Sequence, residues 1–349
     1  ILKNGKLTGV LIDAAMDFIN FPETSNKEAI QGLLDAQKIA FSYGLTTVDD
    51  AGLDRNTIEL IDSLQKAKSL KMRIYAMVSA DKQKQINYYI NKGKLKTKRL
   101  NVRSFKVYGD GALGSRGATM RTSYSDRDNH FGALIYTPER YQEIAKQIAA
   151  SDYQMNTHAI GDSANTWMLK TYKEVLKDSK NRRWRIEHAQ IISEEDFNHF
   201  DNILPSVQPT HATSDMYWAG DRVGTKRMKG AYAFKKLLNT YGKIALGTDF
   251  PVEQVNPFLT FYAATIRKDT NNYPKDGFQM ENALTREETL KGMTIWAAYS
   301  NFEEDEKGSI EVGKFADFVI LNQDIMNVEG RDIPKTNAIS TYLNGEKVY

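Results

Sequence analysis

The sequence predicts an α/β fold: a TIM-like (β/α)8 barrel short of its first strand, followed by a small C-terminal β segment. Three observations carry that expectation. Short β-rich runs alternate with amphipathic helical ones through seven units, the pattern of parallel strands joined by right-handed crossovers. Reactive side chains recur at the C-terminal ends of those runs, where a parallel barrel gathers its chemistry. After about residue 300 the pattern changes to a two-residue period broken by Gly turns. A doubly wound open sheet is the alternative that the same alternation allows.

In chain order, the region before residue 26 should hold the missing strand, and nothing in it is convincing. GKLTGVLIDAA is the best candidate, yet it runs straight into helical periodicity at Leu11–Ile19. NKEAIQGLLDAQKIAFSYG reads as the first helix, with Gly44 as a C-cap. The strands follow as TTVDDA (46–51), RIYAMVSA (73–80), VRSFKVYGDG (102–111), QMNTHAIG (154–161), RIEHAQ (185–190), ILPSVQP (203–209) and KIALGTDF (243–250). The basic run NKGKLKTKR (91–99) reads as a solvated loop between a helix and a strand. TPERYQEIAKQIAAS should start with Thr137 as N-cap and Pro138 in the first position, but Arg140 stands where a capping-box glutamate would. A barrel over 1–303 and a β segment over 304–349 complete the division, with Asn344-Gly345 a hairpin turn.

Composition excludes several chemistries. With no cysteine, disulfides, thiolate catalysis and sulfur-ligated zinc are ruled out, so a metal would need His, carboxylate or modified Lys. The net charge of +3 is spread along the chain and gives no reason to expect a nucleic-acid partner. No apolar run reaches spanning length, so no membrane partner is expected. The chain begins ILKNGK, without a Met, so the absence of a signal peptide says nothing. A cytoplasmic location is the expectation, with the periplasm as the alternative.

The strand ends carry Asp49, Asp50, Lys106, Asp110, His158, His188 and Asp249, with His211 just beyond ILPSVQP. Two histidines and an aspartate in one mouth make a plausible divalent-metal set without sulfur. Against each stands a plainer reading. A lone strand histidine is often a bonded core residue, and Asp110 and Arg116 could form a loop salt bridge. Lys106, on the apolar run SFKVYG, is costly to bury unless paired or modified. The glycines of GDGALGSRGA suggest backbone bending closely around something, though no phosphate-loop spacing fits. His130 and His199 read as solvated. Tyr217-Trp218 could line an aromatic-tolerant pocket or pack under a loop.

FKVYGDGALGSRGA, NTHAIGD, RIEHAQ, SVQPTHATSD and ALGTDFPVE, in that order, resemble the amidohydrolase superfamily. The likeness is to its amidohydrolase-3 branch, YtcJ-like and N-substituted formamide deformylase-like. GSIEVGKFADFVIL is similar to the segment leading into that superfamily's β-sandwich. The resemblance implies a metallo-dependent hydrolase barrel with a divalent cofactor, most simply one or two zinc ions. It makes His158 and His188 the ligands of the family's fifth and sixth strands. Asp249 becomes both ligand and proton shuttle, and Lys106 a ligand that some relatives carboxylate. His211, Arg116 and Asp110 fall on positions for contacts to a small amide-like substrate, and a homo-oligomer is compatible with the pattern. The family opens its barrel with a His-x-His pair, and this chain has no histidine before His130. A fragment of a longer polypeptide, with little turnover of its own, is the expectation. A non-catalytic barrel used for binding or assembly is the alternative.

Overall fold

The computed structural model describes residues 2–349 apart from 12, 21, 23, 178 and 180. Seven parallel strands make the main sheet: β1 (Thr47–Leu53), β2 (Arg73–Ser79), β3 (Leu100–Tyr108), β4 (Gln154–Ala159), β5 (Arg185–His188), β6 (Leu204–Val207) and β7 (Ala245–Leu246). Their spatial order is their chain order, and a short strand Leu95–Lys96 adds antiparallel to β3. The basic run is therefore not a plain loop. Lys96 in it pairs with Glu306 at 2.8 Å and also with Glu303.

The sheet curls. Four strand spacings separate β1 from β5, about 19 Å across a flat sheet. Yet Arg185 Nη1 on β5 lies 3.0 Å from Asp49 Oδ2 on β1, and Tyr75 of β2 donates to Gln154 of β4 at 2.7 Å. Side chains from distant strands meet only if the sheet wraps around them, which is an α/β half-barrel with helices outside. Among the described residues β1 and β7 do not pair with each other, so the barrel has an open seam. The middle residues of β1 are correspondingly exposed.

Among the described residues, those before the first helix form no strand of this sheet. Leu2–Lys3 and Lys6–Leu7 pair only with each other, and Asp13–Phe18 is a 3-10 helix; residue 12, inside the candidate strand, lies outside the described residues. The first helix, Asn26–Ser42, begins at a capping box in which Ser25 and Glu28 satisfy each other's backbone donors. Its chain exits through Gly44 at φ +81°, which a Cβ would disfavour. The helix Pro138–Ala149 starts as its sequence predicts, with Thr137 accepting from the Arg140 N–H.

The C-terminal strands β8 (Phe318–Leu321), β9 (Ala338–Leu343) and β10 (Glu346–Lys347) form a separate antiparallel sheet. Asn344 and Gly345 both take positive φ between β9 and β10, as a two-residue hairpin turn requires. Two links pin this sheet to the barrel's lower end. Asp317 forms a buried ion pair with Arg73 at the start of β2, and Thr341 Oγ1 donates to the Phe41 carbonyl at 2.7 Å.

Candidate active site

Register brings the reactive residues to one end of the half-barrel. Tyr108 on β3 stands opposite His158 on β4, and Ala159 stands opposite His188 on β5. The two imidazoles consequently meet edge to face, with ring centroids 4.5 Å apart. His211 arrives on the short helix Pro209–Asp215 that follows β6, and its ring stacks 5.9 Å from that of His188. Asp249 lies just past β7 and reaches His211 Nε2 at 3.3 Å. His188 and Asp249 hold φ of +74° and +59°, left-handed backbone that costs a non-glycine residue about 1–3 kcal/mol and persists only where surroundings enforce it.

The electrostatics divide the histidines. Burial, reinforced by the Lys106 charge, lowers the His158 pKa to about 3. Burial and the adjoining His158 push His188 well below its ordinary value too. Both rings are therefore neutral, and His158 Nε2 and His188 Nδ1 are buried without a hydrogen-bond partner. Asp110 Oδ1 lies 3.5 Å from His158 Nε2, but not in hydrogen-bonding alignment. Orphaned imidazole nitrogens with free lone pairs fit a cation. His211 is the opposite case. Burial opposes its charge, but hydrogen bonds to Asp249 and Glu253 outweigh that and raise it to about 9. For Asp249, burial alone would raise the pKa. The His211 hydrogen bond and the neighbouring positive charges hold it below the ordinary value instead.

Among the described residues, one group offers three ligand atoms within 4.8 Å of one another: His188, His211 and Asp249. That differs from the set drawn from the sequence, where His158 and Lys106 accompany His188 and Asp249. His158 borders the group through its ring contact with His188. Lys106, 4% exposed, is depressed by burial, with Glu187 and Asp249 favouring its charge, and its Nζ sits 4.6 Å from the Tyr108 ring centroid.

Two residues assigned to substrate contacts are engaged in holding loops. Arg116 makes a two-pronged bridge to Asp126 at 3.0 and 2.8 Å, and Arg222 shares that carboxylate. Asp110 accepts from the N–H groups of Thr119, Ile160 and Gly161 at 2.8, 3.0 and 2.9 Å, tying the loop after β3 to the end of β4. The glycine-rich loop bends around the chain itself. A Cβ on Gly109 would meet the His158 carbonyl at 2.6 Å, and one on Gly114 would touch Trp218 at 3.4 Å. Trp218 thus packs against that loop. We expect Asp110→Ala to orphan three donors and cost at least about 2 kcal/mol, read as a lower thermal midpoint. An unchanged midpoint with a raised KM would instead return Asp110 to a substrate role.

His130 Nε2 contacts the Arg116 carbonyl at 2.9 Å and His199 Nε2 lies 3.9 Å from Asp196, so both stand in other contacts. Sequence reading passed over Arg185, Glu187 and Glu253. A charged pair inside the short strand RIEH, and an acid four residues after Asp249, were the available signals.

The family model for the amidohydrolase family matches residues 1–349. Protein LONG AFTER FAR-RED 3 of Arabidopsis thaliana is 30% identical over 371 residues, covering 100% of this chain and 62% of that protein. Putative amidohydrolase YtcJ of Bacillus subtilis is 27% identical, covering 99% of this chain and 66% of that protein. Among solved structures, an uncharacterized metal-dependent hydrolase from Pyrococcus horikoshii superposes with a TM-score of 0.80 at 25% identity, covering 90% of this chain and 64% of that one. The chain therefore spans a little under two thirds of the length of these relatives. The half-barrel, the strand-end histidines and the match along the whole sequence lead to one conclusion: the chain belongs to the amidohydrolase family.

Proposed function

We propose that this chain carries the metal site of a hydrolase that cleaves carbon–nitrogen bonds in non-peptide, amide-like compounds. One observation carries the reading: neutral His158 and His188, each with a partnerless buried nitrogen, stand beside an ionised Asp249 at the strand ends. His188 and Asp249 would hold a divalent ion, with His158 completing the set and Lys106 adjoining it. His211 belongs to the cluster by distance but not by chemistry, because carboxylates engage both of its ring nitrogens and leave no lone pair. Nitrogen and oxygen donors of this kind suit zinc. A divalent ion there supplies Lewis-acid activation of water and of the substrate carbonyl.

The chain's own groups do the rest. Asp249, kept ionised, accepts a proton from water and returns it to the departing nitrogen. His211, kept cationic, donates to Asp249 and so holds that carboxylate ionised and in place. The open seam between β1 and β7 supports completion of the barrel by a further strand, and the break in pattern near residue 303 supports a barrel with an appended β unit. An open seam equally suits a second reading, a barrel used for assembly without turnover, in which exposed β1 recruits another chain.

Elemental mass spectrometry on the purified chain, before and after a chelator, separates these readings. The first expects about one equivalent of zinc, manganese or iron, and hydrolysis of N-formyl or cyclic amides that falls at least tenfold on chelation and returns with metal. Hydrolysis indifferent to the chelator, or no metal uptake after supplementation, would sink it.

A further inference from the structure

The segment ALGTDFPVE carries a second acid that the proposed reaction leaves unused. Glu253 Oε1 lies 3.2 Å from His211 Nδ1, while Asp249 Oδ2 of the same segment takes Nε2 at 3.3 Å. Two carboxylates four residues apart thus grip the two nitrogens of one ring. Ser214, on the helix that carries His211, donates to the same Glu253 oxygen at 2.6 Å and holds the carboxylate in place. Asp215, at the end of that helix, does not compete for the ring, because its carboxylate is occupied by the Tyr232 hydroxyl at 2.8 Å and by Gln190 Nε2 at 3.0 Å. The His211 and Glu253 side chains are only 12% and 20% exposed, so water has limited access to this contact.

An imidazole held at one nitrogen can turn over about its Cβ–Cγ bond and present either nitrogen to Asp249. A ring held at both cannot. Each carboxylate accepts a hydrogen bond and cannot donate one, so each ring nitrogen presents its N–H to a fixed acceptor.

We infer that Glu253 is a positioning residue of this site: by engaging Nδ1 it fixes the ring plane of His211, so that Nε2 is presented to Asp249. The consequence for turnover rests on the metallohydrolase reading; the link between Glu253 and His211 does not.

The test uses the whole chain, stripped of metal and labelled with 15N on its histidine rings. With five histidines, long-range 15N–1H spectra contain five ring systems, assignable by single replacements. Wild type should show His211 with its Nδ1 protonated. Glu253→Gln, which keeps an acceptor oxygen, should retain that pattern. Glu253→Leu, which keeps none, should shift both His211 nitrogens, while His130 and His199 stay put and report an intact fold. If Glu253→Leu does not fold, Glu253→Asp, too short to reach the ring, should show the same shift. His211 signals identical to wild type in whichever of these two folds would overturn the inference. In turnover assays Glu253→Leu should lower kcat about 10–100-fold with little change in KM, and Glu253→Gln should restore part of it. A chain that takes up no metal after supplementation would defeat the metallohydrolase reading, while the spectra would still decide the role of Glu253.

Discussion

Replacing His188 with Ala should abolish metal retention and, with it, hydrolysis. His188 sits at the middle of the cluster, with the His158 ring on one side and the His211 ring on the other. Among the described residues, no other brings both a partnerless nitrogen and contact with the two remaining rings. Losing an outer partner of a metal ligand costs roughly 10–100-fold in affinity or activity, so loss of a ligand should exceed about a hundredfold. Elemental analysis of the variant reads the first effect, and kcat/KM on an N-formyl amide reads the second. The backbone matters to the interpretation. His188 holds φ +74°, and an alanine there keeps that strain without the contacts that enforce it. A melting curve is therefore the control. A folded variant that still binds one equivalent of metal would remove His188 from the site.

The second large effect lies below the site, inside the half-barrel. Arg185 is 1% exposed, and its guanidinium joins four groups. Asp49 is at 3.0 Å, Glu187 at 2.8 Å, the Ser300 hydroxyl at 3.0 Å and the Asn301 side-chain oxygen at 3.1 Å. Asn301 also donates to Asp49 at 2.7 Å, closing the network. Arg185→Leu would leave the buried Glu187 carboxylate without its closest cation and the partly exposed Asp49 without its guanidinium partner. Breaking a buried pair from one side typically costs about 3–5 kcal/mol. For a chain of this size that is a fall in Tm of roughly four to seven degrees. Adding Glu187→Gln to the same background removes one of the stranded charges and should recover part of the loss. If Arg185→Leu melts within a degree of wild type, the interior network contributes nothing measurable.

Local periodicity explains why so much of the scaffold was legible. Each strand of the main sheet overlaps a β-rich run, because short runs bounded by turn residues and set between longer helical periods suit parallel strands. Ends were less visible. KIALGTDF reads as eight residues of strand, but only Ala245–Leu246 pair, because Asp249 turns the chain with φ +59°. The run NKGKLKTKR reads as a loop from its charges, whereas Leu95–Lys96 pair along β3, with acidic residues from beyond residue 300 neutralising Lys96.

The site divides in the same way. His158, His188 and Asp249 could be picked out because position at a strand end is a one-dimensional property. Partner choice is not. Arg116 and Asp110 look like partners in GDGALGSRGA, yet Arg116 finds Asp126, and Asp110 binds three backbone N–H groups. By itself, then, the sequence determined the order of strands, the family, and which side chains would be delivered to one rim. Only the tertiary structure decided which of them meet. Arg185 reaches Asp49 across 136 residues of chain, and Asp249 and Glu253 close on His211 from some 40 positions away. Such contacts are set by how far the sheet curls and how each connection lands. These are sums over many packed residues that no local spacing records.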